Sequence, residues 1–506
     1  MKLATQLPNF PIPQLPDVRV AIVGGGFGGL GAAIRLKQDG VDDFVVLERG
    51  AEVGGTWRDN TYPGCACDVE SHLYSLSFAP EPSWTHRFSR QPEIWEYLQR
   101  LTRDFDLAPH IRFESEVCSA AWDGRARRWR IETTRGALTA QALVAATGPF
   151  SAANVPALAG LDRFEGPAFH SAHWDHGVDL RGRRIAVIGT GASSIQIVPE
   201  IQREVAALYL FQRTAPWILP RPDAPIPEWR RRLYRRFPLV QRAIRLAIYL
   251  YREVWIVVFR HPAAMARAQK IASRHLERSI ADPVLRARLT PDYTMGCKRM
   301  LLSNDFYPAV AQPNVEVVTA PIVEVRERSI VAADGVERPV DAIVFGTGFR
   351  VTDPPIASRI RGRDGRTLNE VWAGSPRAHL GTTVAGFPNL FMLLGPNTGL
   401  GHNSVVYMTE AQIELLVGAL RYMRAHGIDA IEPTPAAEDA FVAGVDRRMR
   451  GTVWLSGGCS SWYLDRTGRN STLWPDSSWR YYRRASRFAA ADYMRAPAAA
   501  PAADVA

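Results

Sequence analysis

Apolar positions in this chain fall into short unbroken runs, each closed by glycine and followed by a stretch of helical period. Residues 20–23 are wholly apolar and end at Gly24. Ala32, Ala33, Ile34 and Leu36 then supply a helical face, and residues 44–47 form a second apolar run that delivers Glu48. Short apolar runs bounded by turn signals read as buried strands, and their alternation with helices predicts β-α-β units around a parallel sheet. Residues 18–50 are the first such unit. Residues 122–133 alternate like a hairpin, and residues 142–148 are another buried strand ending in Thr147 and Gly148.

The pattern then repeats. Residues 184–188 lead into Gly189 and Gly191, a helix follows Ser194, and residues 207–211 form the next strand. Residues 341–349 end in Gly346, Thr347 and Gly348 and echo residues 142–148, so the second unit reads as inserted into the first, which resumes near residue 335. Residues 389–397 add a strand and a turn, and residues 409–426 an amphipathic helix. The expected division is an N-terminal arm over 1–17, a first nucleotide domain over 18–157, and a second over 158–334 carrying a helical insert at 225–290. The first domain's second part and the C-terminal region follow over 335–495, and a disordered Ala/Pro tail over 496–506.

The glycine turns carry chemistry. Gly24, Gly26 and Gly29 fit G-x-G-x-x-G, in which missing side chains let a pyrophosphate approach a helix N-terminus. Glu48, at the end of the next strand, is the acid that a ribose diol needs. In the second unit Ser194 takes the third glycine's place, and a small residue there still permits close helix–strand packing. The following strand ends in Gln212, Arg213 and Thr214 instead of an acid. An arginine there accepts a 2′-phosphate, which favours NADP over NAD; an ordinary surface arginine is the other reading. One site with a diol-binding acid and one with an arginine point to FAD plus NADPH, and to hydride transfer from nicotinamide to flavin. The fold class expected is α/β, with two Rossmann-like domains arranged as in glutathione reductase. The reduced flavin could reduce a disulfide, pass electrons on, reduce oxygen, or direct one oxygen atom into a substrate. The chain has no C-x-x-C, which argues against the first.

Composition narrows the classes. The 506 residues are 46% hydrophobic and 22% charged, as in a globular protein of more than one domain. The net charge of +10 suits nucleic acid, an anionic membrane or an anionic cofactor. No nucleic-acid motif supports the first, and no metal-ligand cluster is visible. Five scattered cysteines suggest a reducing compartment and no disulfide framework. Cys65 and Cys67 read as small side chains in a turn. There is no h-region of a signal peptide and no run of ~18 apolar residues, which makes a cytoplasmic protein the expectation. In the insert, Arg231, Arg235, Arg242, Arg245 and Arg252 fall near one helical face. Leu239, Ala243, Leu246, Leu250 and Val254 are their apolar partners, and Pro238 interrupts any single helix. A solvated charged face over a packed helix is one reading; a surface resting on a membrane, or lining a substrate entrance, is the other.

Between the two nucleotide units, Phe164, Gly166, His170, Trp174 and Asp175 match F-x-G-x-x-x-H-x-x-x-W-[PD] at every fixed position. This is the fingerprint of type I Baeyer–Villiger monooxygenases, a family the chain resembles from its first glycine turn to about Tyr493. The resemblance implies an enzyme that binds FAD and NADPH and converts a ketone and O2 to an ester or lactone by way of a C4a-peroxyflavin. Oxygenation of sulfides or amines, and an NADPH oxidase or reductase, are the alternatives. It implies flavin-side contacts from Phe27, Thr56, Trp57, Asp68, Tyr74 and Val117, and coenzyme contacts from Thr190, Ser193, Gln196, Arg213, Thr214, Lys298 and Trp462. Lys298 falls on the 2′-phosphate ligand, Arg299 on the catalytic arginine and Asp68 on its carboxylate partner. A permanently charged guanidinium stabilises an anion and cannot release a proton to it. His170 and Trp174 would couple rotation of one domain to the other. Residues 395–404 and 464–475 are more similar to the branch of 4-hydroxyacetophenone-type and long-chain or aryl ketone enzymes than to the cyclohexanone enzymes.

Overall fold

The structure, a computed structural model, describes residues 15–497. Two sheets organise it. The first runs in the order Ile360–Arg361, Val117–Asp123, Arg128–Thr133, Gly136–Ala145, Val18–Val23, Phe44–Leu47 and Ile111–Arg112, with Leu390–Met392 beside the far half of Gly136–Ala145. Val18–Val23 lies parallel to both of its neighbours. Its side chains are buried on both faces, which is why the sequence shows a continuous apolar run and no alternation. Helices Phe27–Gln38 and Val405–His426 cover one face, their Leu30, Ile34, Ile413 and Leu416 sharing a core with Val20 and Ile22. Gly31 allows the close approach, because a Cβ there would stand 3.0 Å from Ile413 Cδ1.

The second sheet is wholly parallel, in the order Val315–Val318, Ala207–Phe211, Arg184–Ile188, Ala342–Phe345 and Ala168–His170. Here the structure corrects the expected boundary. Ala342–Phe345 pairs with Arg184–Ile188 and Ala168–His170, so the first unit does not resume near residue 335 but only beyond Gly348. The Gly-Thr-Gly ending suits either sheet; the strand's partners decide. At the C-terminus, Tyr493–Pro497 pairs antiparallel with Ile428–Pro433, so Ala496 and Pro497 are strand and not tail. At the other end Leu15 donates its amide to the Ala137 carbonyl. The rest of the expected arm and tail lies outside the described residues.

The insert comprises helices Glu228–Arg236, Pro238–Arg260, Pro262–Ser279 and Pro283–Arg288, three of them begun by proline, which a first helical turn tolerates. The break falls at Phe237, as Pro238 requires. The sense of the long helix is the reverse of the packed-helix reading. Arg245 is turned inward, donating to the carbonyls of His72, Leu73 and Ser75 at 2.8, 3.1 and 2.9 Å. Arg252 pairs with Glu70 at 2.7 Å. Glu253 accepts from Asn403, His402 and the Ser478 hydroxyl at 2.8, 3.2 and 2.6 Å. Leu239, Leu246, Leu250 and Val254, expected to pack inside, face outward. Periodicity identifies two faces of a helix but not which one is buried. Among the described residues no helix is long and apolar enough to cross a membrane.

Candidate functional site

Both glycine turns open onto one cavity of about 1400 Å³ between the two sheets. The turns are built alike. Gly24 has φ +108° and a Cβ there would lie 2.8 Å from the Ala146 carbonyl oxygen; Gly189 has φ +103° and its Cβ would lie 2.6 Å from that of Gly346. Each position demands glycine twice over, by conformation and by space. Gly26 and Gly191 line the cavity, and Gly26 lies close under the backbone of Gly55.

Gly29 and Ser194, the third residues of the two turns, do not reach the cavity. A Cβ on Gly29 would sit 1.8 Å from the Gly24 carbonyl oxygen, and the Ser194 hydroxyl fills the space that a Cβ on Gly346 would need. Both serve helix–strand packing. The bare backbone left above the two helix starts forms cradles that fit pyrophosphates.

Glu48 is buried below the first turn. Its Oε2 accepts the Gly25 amide at 2.7 Å, and its Oε1 accepts from Gly50 and from Arg58 at 2.8 and 2.7 Å. Arg58 was not singled out in the sequence; an arginine in the single helical turn Thr56–Asp59, ten residues from an acid, carries no periodic signal. Phe27, Thr56, Trp57, Tyr74 and Val117 all line the same end of the cavity. Trp57 Nε1 donates to the Tyr74 hydroxyl at 3.2 Å, and Tyr74 meets Phe27 edge-on at 5.0 Å.

At the other turn, Thr190 donates to the Thr214 carbonyl at 3.0 Å, fixing one loop to the next. Ser193, Arg213, Thr214 and Lys298 line this end. Arg213 is exposed and Lys298 half-buried, and among the described residues neither has a carboxylate within ion-pairing distance. Burial, and then the charge of Arg213, hold the Lys298 ammonium below its ordinary pKa. Two cations that disfavour each other, with only the more distant charge of Asp292 to offset them, make a corner that fits a phosphate. Gln196 lines the wall between the turns and joins the modules: its Nε2 donates to the Ala66 carbonyl at 3.0 Å, and its Oε1 accepts from the Tyr62 hydroxyl at 3.1 Å.

Where the cradles meet stand Asp68 and Arg299. They are 231 residues apart, and Arg299 Nε and Nη2 donate to the two Asp68 oxygens at 2.7 and 2.6 Å. Their side chains keep 27% and 31% of their surface, so the pair is supported from behind and open in front. Burial raises the Asp68 pKa, but the charge and hydrogen bonds of Arg299 outweigh it and hold the carboxyl below its usual range. Arg299 is raised, chiefly by the charge of Asp68. Both are ionised at any working pH. Behind them Arg252 donates to the Asp68 carbonyl at 3.3 Å. Tyr463 is buried against Arg299; burial pushes its phenol up to about 12, with the guanidinium opposing.

Trp462 stands at the rim, 40% exposed and edge-on to Phe150 at 6.3 Å. Cys65 faces the cavity, and burial pushes its thiol up to about 12; Cys67 is fully buried and raised further. Neither is a poised nucleophile.

The fingerprint residues Phe164, Gly166, His170, Trp174 and Asp175 do not line the cavity. They form and flank the edge strand Ala168–His170 of the second sheet. A Cβ on Gly166 would strike the Asp341 carbonyl at 2.5 Å, and Trp174 packs edge-on to Phe169 at 5.1 Å. His170 lies at 5.5 Å from Phe349, which follows the crossing back to the first module. One expectation fails outright: Cys297 and Cys459 form a disulfide, with Cα atoms 6.1 Å apart across 162 residues. No sequence spacing could have signalled it.

Two Rossmann modules facing one cavity, with an arginine–carboxylate pair at their junction, define a two-dinucleotide oxidoreductase. The family described as flavin-binding monooxygenase-like matches residues 17–363. A Baeyer–Villiger monooxygenase of Streptomyces coelicolor is 53% identical over 479 residues, covering 94% of this chain and 92% of the relative. Among solved structures, oxidised steroid monooxygenase bound to NADP superposes with a TM-score of 0.85 at 32% identity, covering 95% of this chain and 99% of that one. OTEMO in complex with FAD and NADP gives 0.85 at 28% identity, covering 95% and 100%. The chain belongs to the flavin-binding monooxygenase-like family and, within it, to the Baeyer–Villiger monooxygenases.

Proposed function

We propose that this protein is an FAD- and NADPH-dependent monooxygenase that inserts one atom of O2 beside the carbonyl of a ketone, giving an ester or lactone. The observation that carries the reading is the bidentate Asp68–Arg299 pair at the junction of the two cradles. In this assignment the first sheet's module holds FAD on Gly24, Gly26 and Glu48. The second holds NADPH on Gly189, Gly191 and Thr190, with Arg213, Thr214 and Lys298 around its 2′-phosphate. Bound FAD, reduced by NADPH, supplies the activation of dioxygen.

The chain's own residues supply the rest. Arg299 presents a fixed positive charge to the reacting centre and stabilises negative charge as it develops on the carbonyl oxygen. It donates hydrogen bonds without giving up a proton, so an anionic oxidant beside it stays anionic. Asp68 occupies Nε and Nη2, which fixes the plane of the fork and leaves the remaining N–H groups to face the cavity. The carboxylate also balances the guanidinium's charge while a hydride moves nearby. Trp57, Tyr74 and Trp462 wall the space, and Tyr463 is buried behind them against Arg299. Arg252 and Glu70 set the backbone that carries Asp68.

The test is product analysis with the purified holoenzyme, NADPH and a panel of cyclic, aryl and long-chain ketones under isotopically labelled O2. One labelled oxygen per ester, with one NADPH consumed per product, is expected. NADPH consumption matched by hydrogen peroxide across the whole panel, with no ester, would overturn the reading.

A further inference from the structure

The helix Pro238–Arg260 is fastened to the body of the protein by its polar residues. Gln241, Arg245, Tyr249, Arg252 and Glu253 point inward, each hydrogen-bonded to the first module or to the C-terminal region. Leu239, Leu246, Leu250, Val254 and Val257 point outward, between 55% and 75% exposed. Their spacings of 7, 4, 4 and 3 residues follow the helical period, so they form one stripe about 27 Å long at 1.5 Å per residue. A helix facing water has the opposite arrangement. The stripe is continued at its N-terminal end by Trp229 and Phe237, both exposed and each overlaid by the guanidinium of its neighbour, Arg230 or Arg236.

The charge around the stripe is predominantly positive; Glu228, the acid that starts the shorter helix, is itself paired with Arg231, Arg232 and Arg235. Arg230, Arg232, Arg235, Arg236 and Arg242 are exposed on the same two helices. Between residues 229 and 260 the only acid is Glu253, which is turned inward. At the C-terminal end Arg260 opens onto a second basic cleft with Arg447, Arg448 and Arg450. Exposed aromatic and aliphatic side chains flanked by arginines fit the boundary between lipid headgroups and acyl chains.

We propose that this face docks on an anionic lipid bilayer, with the helix lying in the plane of the surface. A second copy of the chain is the poorer occupant, since a symmetric contact would bring the same arginines together. The inner face of this helix reaches Asp68 through Arg252. One helix diameter, roughly 10 Å, and the 3.3 Å contact of Arg252 then separate the bilayer surface from the backbone that carries Asp68. A ketone dissolved in the membrane is concentrated beside the site. The docking stands whether or not the proposed oxidation is correct.

Vesicle co-sedimentation of the holoenzyme tests it without turnover. Vesicles of phosphatidylcholine alone are compared with vesicles containing phosphatidylglycerol, at low salt and at 0.5 M salt, where the Debye length is about half its physiological value. The expected result is at least tenfold stronger partition to the anionic vesicles, reduced by salt. Leu246→Ser/Leu250→Ser/Val254→Ser should weaken it at least tenfold while retaining bound flavin and the thermal midpoint. Arg230→Glu/Arg236→Glu is the second variant; it leaves the stripe intact and should remove the preference for anionic over neutral vesicles. Absence of binding to anionic vesicles at low salt overturns the proposal. So does binding that neither variant changes, or a concentration-dependent dimer that the triple variant abolishes in protein that ignores vesicles.

Discussion

Replacing Lys298 with methionine removes one cation from the corner it shares with Arg213 and keeps the apolar stem over the Tyr293 ring, 4.9 Å from the ammonium in the wild type. Lys298 is half-buried and, among the described residues, makes no close ion pair, only a weaker interaction with the charge of Asp292, so most of its charge is available to a phosphate. A hydrogen bond between charged groups in such a setting is worth ~1.5–3 kcal/mol, equivalent to ~10- to 150-fold in affinity. Arg213 is exposed and screened by salt, so Arg213→Ala should fall at or below the lower end of that range. NADH carries a hydroxyl in place of the 2′-phosphate and gains little from either cation. Anaerobic flavin reduction, followed as a function of coenzyme concentration, reads the affinities directly. NADPH should weaken by the stated factor in the Lys298→Met variant while NADH changes less than about threefold. Equal loss for both coenzymes would refute the assignment and place Lys298 against some other part of the nucleotide. The mutual repulsion adds a pH signature. Burial and Arg213 hold the Lys298 pKa below its ordinary value, so wild-type affinity for NADPH falls at a lower alkaline pH than a free lysine would dictate. In Arg213→Ala that loss should move to higher pH.

Asp68→Asn keeps the shape of the pair but removes its negative charge, leaving the guanidinium without its counter-ion. Ester formation should fall by about 10² or more, with NADPH consumption diverted to hydrogen peroxide, as peroxide and ester assays in parallel would show. Unchanged coupling would mean that Arg299 needs no partner. Glu253→Ala strips the acceptor from Asn403, His402 and Ser478 and should cost about 1–3 kcal/mol, read as a lowered thermal midpoint. A midpoint unchanged by that substitution would mean the insert is held elsewhere. His72 and His170 are each depressed to about 4, chiefly by burial. Both are neutral in the folded protein while the unfolded chain takes up protons below about 6.5, so stability should be full above that pH and fall as the pH drops towards 4. Denaturation midpoints across this window check the sign, and a flat profile would contradict it.

Much of the fold was legible because the buried parallel strands write themselves as unbroken apolar runs, and the glycine turns declare where backbone must approach backbone. Gly24 and Gly189 were readable as positions that want no side chain, but the Ala146 and Gly346 carbonyls that forbid one there are far off in sequence and were not. Asp68 and Arg299 were not: 231 residues apart, they meet only through the packing of two modules, and only a family resemblance brought them together beforehand. The strand Ala342–Phe345 was misplaced because its sequence is right for either sheet, and its partners depend on long-range pairing. The long insert helix was periodic, but its arginines find carbonyls and carboxylates inside and its leucines find none of their kind. Hydropathy carries no information about such partners.

The disulfide has a mechanical meaning. Cys297 directly precedes Lys298 and Arg299, while Cys459 stands three residues before Trp462, and Thr294 also donates its amide to the Gly457 carbonyl at 2.9 Å. The strip of chain bearing the two cations and the strip bearing the rim tryptophan are therefore one solid part. A displacement of either strip is transmitted rigidly to the other, like two jaws cast from a single piece. The walls that face coenzyme and substrate cannot be adjusted separately, so a substitution that reshapes the Trp462 wall to admit a larger ketone will also shift the grip on the coenzyme.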